Sequence, residues 1–186
     1  MTAKIIKALG VSAALGVAAM PLTTFAVDPV TADATVNVTI NPSISMALDT
    51  ESASTAIDLS QADLTTMKIK AKVSTNAKGG YTLKLNDKDT DTDLKHASLT
   101  AFKISTSAAT PTAGTSSWAV KGGEVTNWAA MPASNGTALT LKSAVALTNA
   151  VINEEETETT YGVASGNDLA SGTYSDTVVY TATAVE

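Results

Sequence analysis

Residues 30–48 read VTADATVNVTINPSISMAL, and every even-numbered residue in this stretch is apolar. The odd-numbered residues are polar, apart from Ala47. Side chains on a β-strand alternate between the two faces of a sheet, so this pattern predicts strands with one apolar face. One strand of this length would span about 60 Å, and Pro42 is the expected break because proline lacks an N–H for a central ladder. We therefore expect an extended arm over residues 30–40 and a second strand over Ile44–Leu48.

The apolar face of the arm is the first candidate site, and we expect it to serve assembly. It consists of Val30, Ala32, Ala34, Val36, Val38 and Ile40. A strand of this kind can add to an open sheet edge while its alternate side chains fill pockets below it. The sequence leaves open whether the arm pairs within its own domain or with a neighbouring subunit.

The first 26 residues have the pattern of a cleaved secretory signal peptide. Lys4 and Lys7 form a charged start, residues 8–20 are largely apolar, and residues 24–26 (TFA) offer a small-residue cleavage site. The expected organisation is a leader at residues 1–26, the arm at residues 27–42 and a β-domain at residues 43–186. The expected mature chain is exported, has no membrane span, and lies outside the cell or on its surface.

The composition favours a β-protein and excludes several classes of function. Thr, Ser, Ala and Val are abundant, and the absence of cysteine excludes disulfides and thiolate sites. All twelve basic residues are lysine, and eighteen acidic residues give a formal net charge of −6. An acidic chain of this kind is not typical of proteins that bind nucleic acid or anionic membranes.

Alternating apolar residues recur along the chain and predict further strands at residues 67–73, 81–85 and 173–184. Residues 76–80 (NAKGG) predict the turn of a β-hairpin, and residues 153–158 (NEEETE) predict a repulsive surface loop. No sustained helical stripe follows the leader. Many short strands separated by turns predict an all-β fold, specifically an antiparallel immunoglobulin-like β-sandwich.

One predicted loop carries a carboxylate at every second position, at Asp87, Asp89, Asp91 and Asp93. Hard oxygen ligands at this spacing can surround Ca²⁺ with the weak affinity of extracellular sites. The EF-hand pattern is not met, because the sixth position from Asp87 is Thr92 rather than glycine. A structural calcium site and a solvated loop tip both remain open, and no other cofactor is expected.

Trp118 and Trp128 are the candidate ligand-binding side chains. Exposed indoles could stack on sugar rings, whereas buried ones would fill the interior of the fold.

His96 is the only histidine, and the residues around it lack the pattern of a catalytic triad or a zinc site. We therefore expect no enzymatic activity. Two hypotheses remain: a filament subunit that associates with identical subunits or other surface proteins, and a monomeric carbohydrate- or adhesion-binding module.

The layout resembles the cysteine-free major subunits of CFA/CS1-type pili, the alternate chaperone–usher class. The resemblance lies in residues 34–44 (ATVNVTINPSI), 73–85 (VSTNAKGGYTLKL) and 169–180 (LASGTYSDTVVY). These segments are similar to that family's donor strand, an early core hairpin, and the closing loop and strand. The resemblance implies an immunoglobulin-like fold that lacks one strand, completed by the arm of the next subunit in an open head-to-tail filament. The C-terminal segment also resembles small secreted β-sandwich surface proteins of ultra-small bacteria, whose role is unassigned.

Overall fold

The computed structural model describes residues 31–57, 64–147 and 151–186. The chain divides into two units, and the second, Ile40–Glu186, contains every strand of the described residues. The predicted signal peptide and Val30 lie outside the described residues. Among the residues described, no helix has the length and apolar character needed to cross a membrane.

The described part of the chain forms eleven β-strands and no α-helix, which confirms the all-β prediction. The strands are β1 (Ile44–Leu48), β2 (Thr65–Thr75), β3 (Tyr81–Asp87), β4 (Leu94–His96), β5 (Lys103–Thr106), β6 (Ser117–Gly122), β7 (Val125–Ala129), β8 (Leu139–Lys142), β9 (Ile152–Ala164), β10 (Tyr174–Ser175) and β11 (Val178–Ala184). The predicted strand at Ile44–Leu48 coincides with β1, and a tight turn after Gly122 joins the antiparallel pair β6 and β7.

The strands belong to two sheets of unequal size. The larger sheet has the order β1-β2-β9-β6-β5-β4-β10, and β7 also pairs with β6. The smaller sheet has the order β11-β3-β8. Neighbouring strands are antiparallel except for β5 and β6, which are parallel.

Residues from both sheets form one apolar core. Alternate residues of β2 (Ile69, Ala71 and Val73) are buried, as are alternate residues of β3 (Tyr81, Leu83 and Leu85). The remaining buried apolar members of this core come from other strands and the loop before β8: Ile104, Trp118, Val120, Met131, Leu141, Tyr161, Val163 and Tyr180. The hydroxyls of Tyr161 and Tyr180 lie 2.7 Å apart and join the two sheets inside the core. Burial of these apolar side chains stabilises the fold by about 25 cal/mol per Å² removed from water.

The hairpin predicted at residues 76–80 is wrong, because β2 and β3 belong to different sheets. β2 lies between β1 and β9, whereas β3 lies between β11 and β8. Both strands have a buried apolar face, and the turn carries the chain from one sheet to the other. Gly80 has a φ of 74°, which favours glycine, and the Gly79 amide donates a 2.8 Å hydrogen bond to the Val185 carbonyl.

The acidic loop predicted at residues 153–158 is also wrong, because this segment forms part of β9. Lysines of β2 lie across from its glutamates: Lys68 Nζ is 2.7 Å from Glu158 Oε1, and Lys72 Nζ is 3.1 Å from Glu156 Oε1. The glutamates would repel one another in isolation, but the lysine-rich face of β2 offsets their charge. The two charge patterns of the sequence are therefore partners in one sheet.

The C-terminal alternation at residues 173–184 is divided between the two sheets. β10 pairs with β4 in the larger sheet, and β11 pairs with β3 in the smaller one. Asp176 and Thr177 lie at the change of sheet. One alternating segment of the sequence therefore supplies strands to both sheets.

Candidate functional site

The arm leaves its apolar side chains exposed. Residues 31–43 contain no strand, and the exposed fractions of Val36, Val38 and Ile40 are 86%, 81% and 79%. Ala32 and Ala34 are exposed as well. The strand predicted over residues 30–40 is therefore not formed by the described residues of a single chain. A strand needs a partner for its backbone N–H and C=O groups, and alternation along the sequence does not supply one.

The junction between the arm and β1 is held by two neighbouring side chains: the Thr75 hydroxyl donates a 2.7 Å hydrogen bond to the Ser43 carbonyl, and Asn76 makes two more bonds. For Asn76, the Oδ1 accepts a 2.6 Å hydrogen bond from the Ser43 amide, and the Nδ2 donates a 3.2 Å hydrogen bond to the Asn41 carbonyl. These two bonds bracket Pro42, which has no N–H of its own. The chain therefore enters β1 in a defined direction immediately after the predicted break.

A cavity of about 800 Å³ lies within the second unit, against the inner face of the larger sheet. The apolar residues of β1, β2, β4, β5, β6 and β9 that line it are Leu48, Met67, Ile69, Leu94, Ile104, Trp118, Tyr161 and Val163. The other side of the cavity is lined by residues 51–57 and 169–177, most of which are not in strands, and by Val178 and Tyr180 of β11. An engineered apolar cavity of roughly 150 Å³ holds a benzene molecule. The present cavity therefore has room for several aliphatic side chains.

The edge of the smaller sheet lies beside this cavity. β11 forms strand pairing with β3, and its opposite edge has no strand partner among the described residues. An unpaired edge next to an apolar cavity is the arrangement that one missing strand would leave. It provides backbone groups for an added strand and space for that strand's alternate side chains.

The two tryptophans do not share a surface. Trp118 is 2% exposed, donates its indole N–H to the Thr92 carbonyl at 2.9 Å, and stacks on Tyr161 at the cavity. Trp128 is half-buried and lies over Gly162, on the other face of β9, where a Cβ atom would meet the ring. The Trp118 indole is therefore a core element, whereas Trp128 retains partial access to solvent.

The four aspartates of residues 87–93 follow one another in a series of turns. The amides of Asp89, Asp91 and Asp93 each donate to the Oδ1 of the aspartate two positions earlier, at 2.8, 2.7 and 3.3 Å. Asp91 and Asp93 also form ion pairs with Lys95 and Lys103. The hydrogen bond from Lys95 is the largest cause that lowers the pKa of Asp91.

Within the described ranges, no group of three or more histidine or acidic side chains is placed to hold a metal ion. The four-aspartate calcium site thus stays a prediction. The structure instead brings Asp87 together with Asp176, a residue that the sequence interpretation missed. Burial, followed by the neighbouring Asp87 carboxyl, raises the pKa of Asp176 to about 7.

A sequence pattern could have indicated this pair. Asp87 occupies the next inward position after Leu83 and Leu85, and Asp176 lies between Tyr174 and Val178 in the same alternation. A carboxylate at an inward position of an otherwise apolar alternation requires a partner, because burial of a charge is costly.

His96 has a structural role beside the cavity. Its Nδ1 accepts hydrogen bonds from the amides of Ser98 and Leu99 at 3.1 and 3.0 Å. Its Nε2 lies 3.1 Å from the Ser171 carbonyl, and the ring packs at right angles against Tyr174. The imidazole therefore fastens the segment of residues 169–177 that lines the cavity.

No protein-family model matches the sequence, and a search of curated proteins gives no match either.

Proposed function

We propose that this chain is a secreted, non-catalytic structural protein of the cell surface, a filament subunit that joins identical subunits through its N-terminal arm. In this proposal the arm of one subunit enters the apolar cavity of the next. Head-to-tail use of the arm builds an open filament rather than a closed ring. Export follows from the leader predicted at residues 1–26.

The observation that carries the proposal is the match between the arm and the cavity. The arm presents Val36, Val38 and Ile40 on one face, each about four-fifths exposed. The cavity presents an apolar wall on the larger sheet and room for several such side chains. Exposed apolar side chains at regular strand spacing are typical of a surface that a partner covers.

The edge of β11 supports the same arrangement. An added strand could pair with this edge while its inward side chains meet Met67 and Ile69 across the cavity. Backbone pairing would supply affinity, and the alternate side chains would set the register. We infer that the two sheets form an immunoglobulin-like sandwich that lacks one strand, and that the neighbouring arm completes it.

The test uses the chain without its leader and the single substitution Val36→Asp. The expected wild-type result is a ladder of oligomers in non-boiled gels and filaments in electron micrographs. Val36→Asp should abolish the ladder, because an unpaired carboxylate would enter an apolar cavity. Asn37→Ala is the matched control on the polar face of the arm, and it should leave the ladder unchanged.

A second measurement addresses the cavity itself. A synthetic peptide of residues 31–42 is added to the Val36→Asp protein, whose own arm is disabled. The peptide should raise the melting temperature and change the fluorescence of Trp118, which lines the cavity. The same peptide carrying Val36→Asp and Val38→Asp should do neither. A wild-type protein that stays monomeric at high concentration and ignores the peptide would refute the proposal.

The carbohydrate- or adhesion-binding alternative has less support. Trp118 is 2% exposed, so it cannot stack on a sugar from solvent. Trp128 is half-buried and has Lys121 Nζ 4.5 Å from the centre of its ring, a contact that occupies a ring face.

A further inference from the structure

Asp87 and Asp176 form an isolated carboxylate pair at one end of the smaller sheet. Asp87 is the last residue of β3 and is 0% exposed, and Asp176 lies two residues before β11. Each carboxylate accepts one backbone hydrogen bond, Asp87 from the Asp89 amide at 2.8 Å and Asp176 from the Thr177 amide at 2.7 Å. The second oxygen of each is buried and accepts no hydrogen bond from a backbone N–H or a basic side chain among the described residues.

The backbone around the pair is fixed by hydrogen bonds from three segments. The Asp87 amide donates to the Pro132 carbonyl at 2.8 Å, and the Lys88 amide donates to the Thr177 carbonyl at 2.9 Å. Asp87 also lies opposite Val178 in the β3–β11 register. The backbone of both aspartates is therefore held in place by these strands and loops.

The two carboxyls are close enough to hydrogen-bond through a shared proton, and when both are ionised they need a positive partner. Among the described residues, no lysine forms an ion pair with either aspartate, although Asp91 and Asp93 nearby each have one. A buried polar atom without a partner costs free energy, so a native structure that keeps two of them side by side calls for an explanation.

We propose that Asp87 and Asp176 bind a divalent cation of the hard, oxygen-seeking class, for which Ca²⁺ is the probe. The two carboxylates match the charge of the ion and approach it from the ends of two paired strands. Backbone carbonyls and water complete the ligand set, as is usual for Ca²⁺, with an affinity of roughly 0.1–1 mM, in the range of extracellular modules. Of the four aspartates in the sequence pattern, only Asp87 is a ligand in this proposal.

A cation bound to both aspartates would link β3 to the segment of residues 169–177, which lines the cavity. Asp176 belongs to residues 169–177, and Asp87 belongs to the central strand of the smaller sheet. A cation bound to both would fasten this wall of the cavity. The inference does not depend on the proposed filament, because it concerns the folded monomer.

The experiment compares thermal unfolding of the chain without its leader in EDTA and in about 5 mM CaCl₂, with titration calorimetry to count the ions. Calcium should raise the melting temperature of the wild type by about 2–6 °C, because it binds only the folded state. One ion should bind per chain. Asp176→Asn should lose both the shift and the binding, and Asp87→Asn provides a second variant if the first does not fold.

Asp91→Asn is the matched control, because it removes a carboxylate of the same loop that pairs with Lys95 instead. It should keep the calcium shift. A wild-type protein that shows no shift up to about 10 mM calcium, ten times the weak end of the extracellular range, would overturn the proposal. A shift that survives in both Asp176→Asn and Asp87→Asn, or that disappears in Asp91→Asn, would place the ion elsewhere and overturn it as well.

Discussion

The arm and β2 have the same alternation of apolar and polar residues but opposite burial. In β2, Ile69 and Val73 are 7% and 0% exposed, whereas Val36 and Val38 of the arm are 86% and 81% exposed. The difference lies in what surrounds each segment. β2 lies between β1 and β9, and residues of the smaller sheet share its core, whereas the arm has no strand partner among the described residues.

This difference shows what alternation does and does not determine. The period of two fixes which side chains share a face. Whether that face is buried depends on segments far away in the sequence or in another molecule. An aspartate placed on the apolar face of β2 should therefore destabilise the monomer. The same substitution on the apolar face of the arm should leave the monomer stable and prevent assembly.

The largest expected effect is that of Val73→Asp in β2. Val73 is completely buried, so a carboxylate there loses its hydration and finds no partner. The loss should be at least about 3 kcal/mol, a large share of the roughly 5–15 kcal/mol that stabilises a domain of ordinary size. Urea denaturation followed by circular dichroism measures it.

Val36→Asp is the matched variant for that experiment. In dilute monomer its free energy of unfolding should stay within about 0.5 kcal/mol of wild type, as for other exposed positions. If Val36→Asp destabilised the monomer as strongly as Val73→Asp, the arm would be an internal strand and the comparison would fail.

The second prediction compares a core residue of β3, away from the cavity, with a residue of β2 that lines the cavity. Leu83→Ala, in the well-packed part of the core, should cost about 2–5 kcal/mol. Ile69→Ala should fall at or below the lower end of that range, because Ile69 lines the existing cavity and makes fewer contacts there. Equilibrium unfolding of the two variants tests the order, and equal losses would mean that the cavity is filled in solution.

Much of the fold could be predicted because it depends on local alternation. The strand at Ile44–Leu48 is confirmed, and the alternation in residues 67–73 and 81–85 lies within β2 and β3. The pairing of strands could not be predicted, because it depends on distant partners. The turn at residues 76–80 has the composition of a hairpin turn but joins two sheets. The glutamates of β9 indicate a loop when they are considered alone, because the lysines of β2 that lie opposite them are distant in the sequence.

The candidate site was predictable in part for the same reason. The apolar face of the arm follows from the sequence alone. The cavity does not, because its lining comes from residues spread between Leu48 and Tyr180. Asp176 was missed because its importance comes from Asp87, which lies 89 positions earlier in the chain. Treating every carboxylate at an inward position of a predicted strand as a candidate site residue would have selected both Asp87 and Asp176.

The third prediction applies the comparison to carboxylates. Asp33 of the arm is exposed, whereas Asp176 is half-buried beside Asp87 and has a pKa raised from 3.8 to about 7. Between these pH values the folded state binds more protons than the unfolded state, so stability should fall as pH rises from about 4 to 7 and then level off. Thermal unfolding in EDTA across this range measures the slope.

Asp176→Asn should flatten the slope, and Asp33→Asn should leave it unchanged. A slope that persists in Asp176→Asn would assign the titration to another group.

The smallest expected effect concerns the polar faces of the two segments. On β2, the hydrogen bond from Lys72 is the largest cause that lowers the pKa of Glu156, and Lys70 acts in the same direction. A lowered pKa means that the stabilisation is present above the ordinary value of 4.5 and is lost as pH falls through the folded value. These groups are exposed, so the contribution should be small and should weaken as salt rises from about 0.05 to 0.5 M.

Glu156→Gln should remove this salt dependence from the melting temperature. Thr35→Val, at an uncharged position on the polar face of the arm, should leave it as in the wild type. Equal salt dependence in Glu156→Gln and wild type would mean that the ion pairs between β2 and β9 contribute nothing to stability. The polar face of β2 would then stabilise the fold no more than the polar face of the arm.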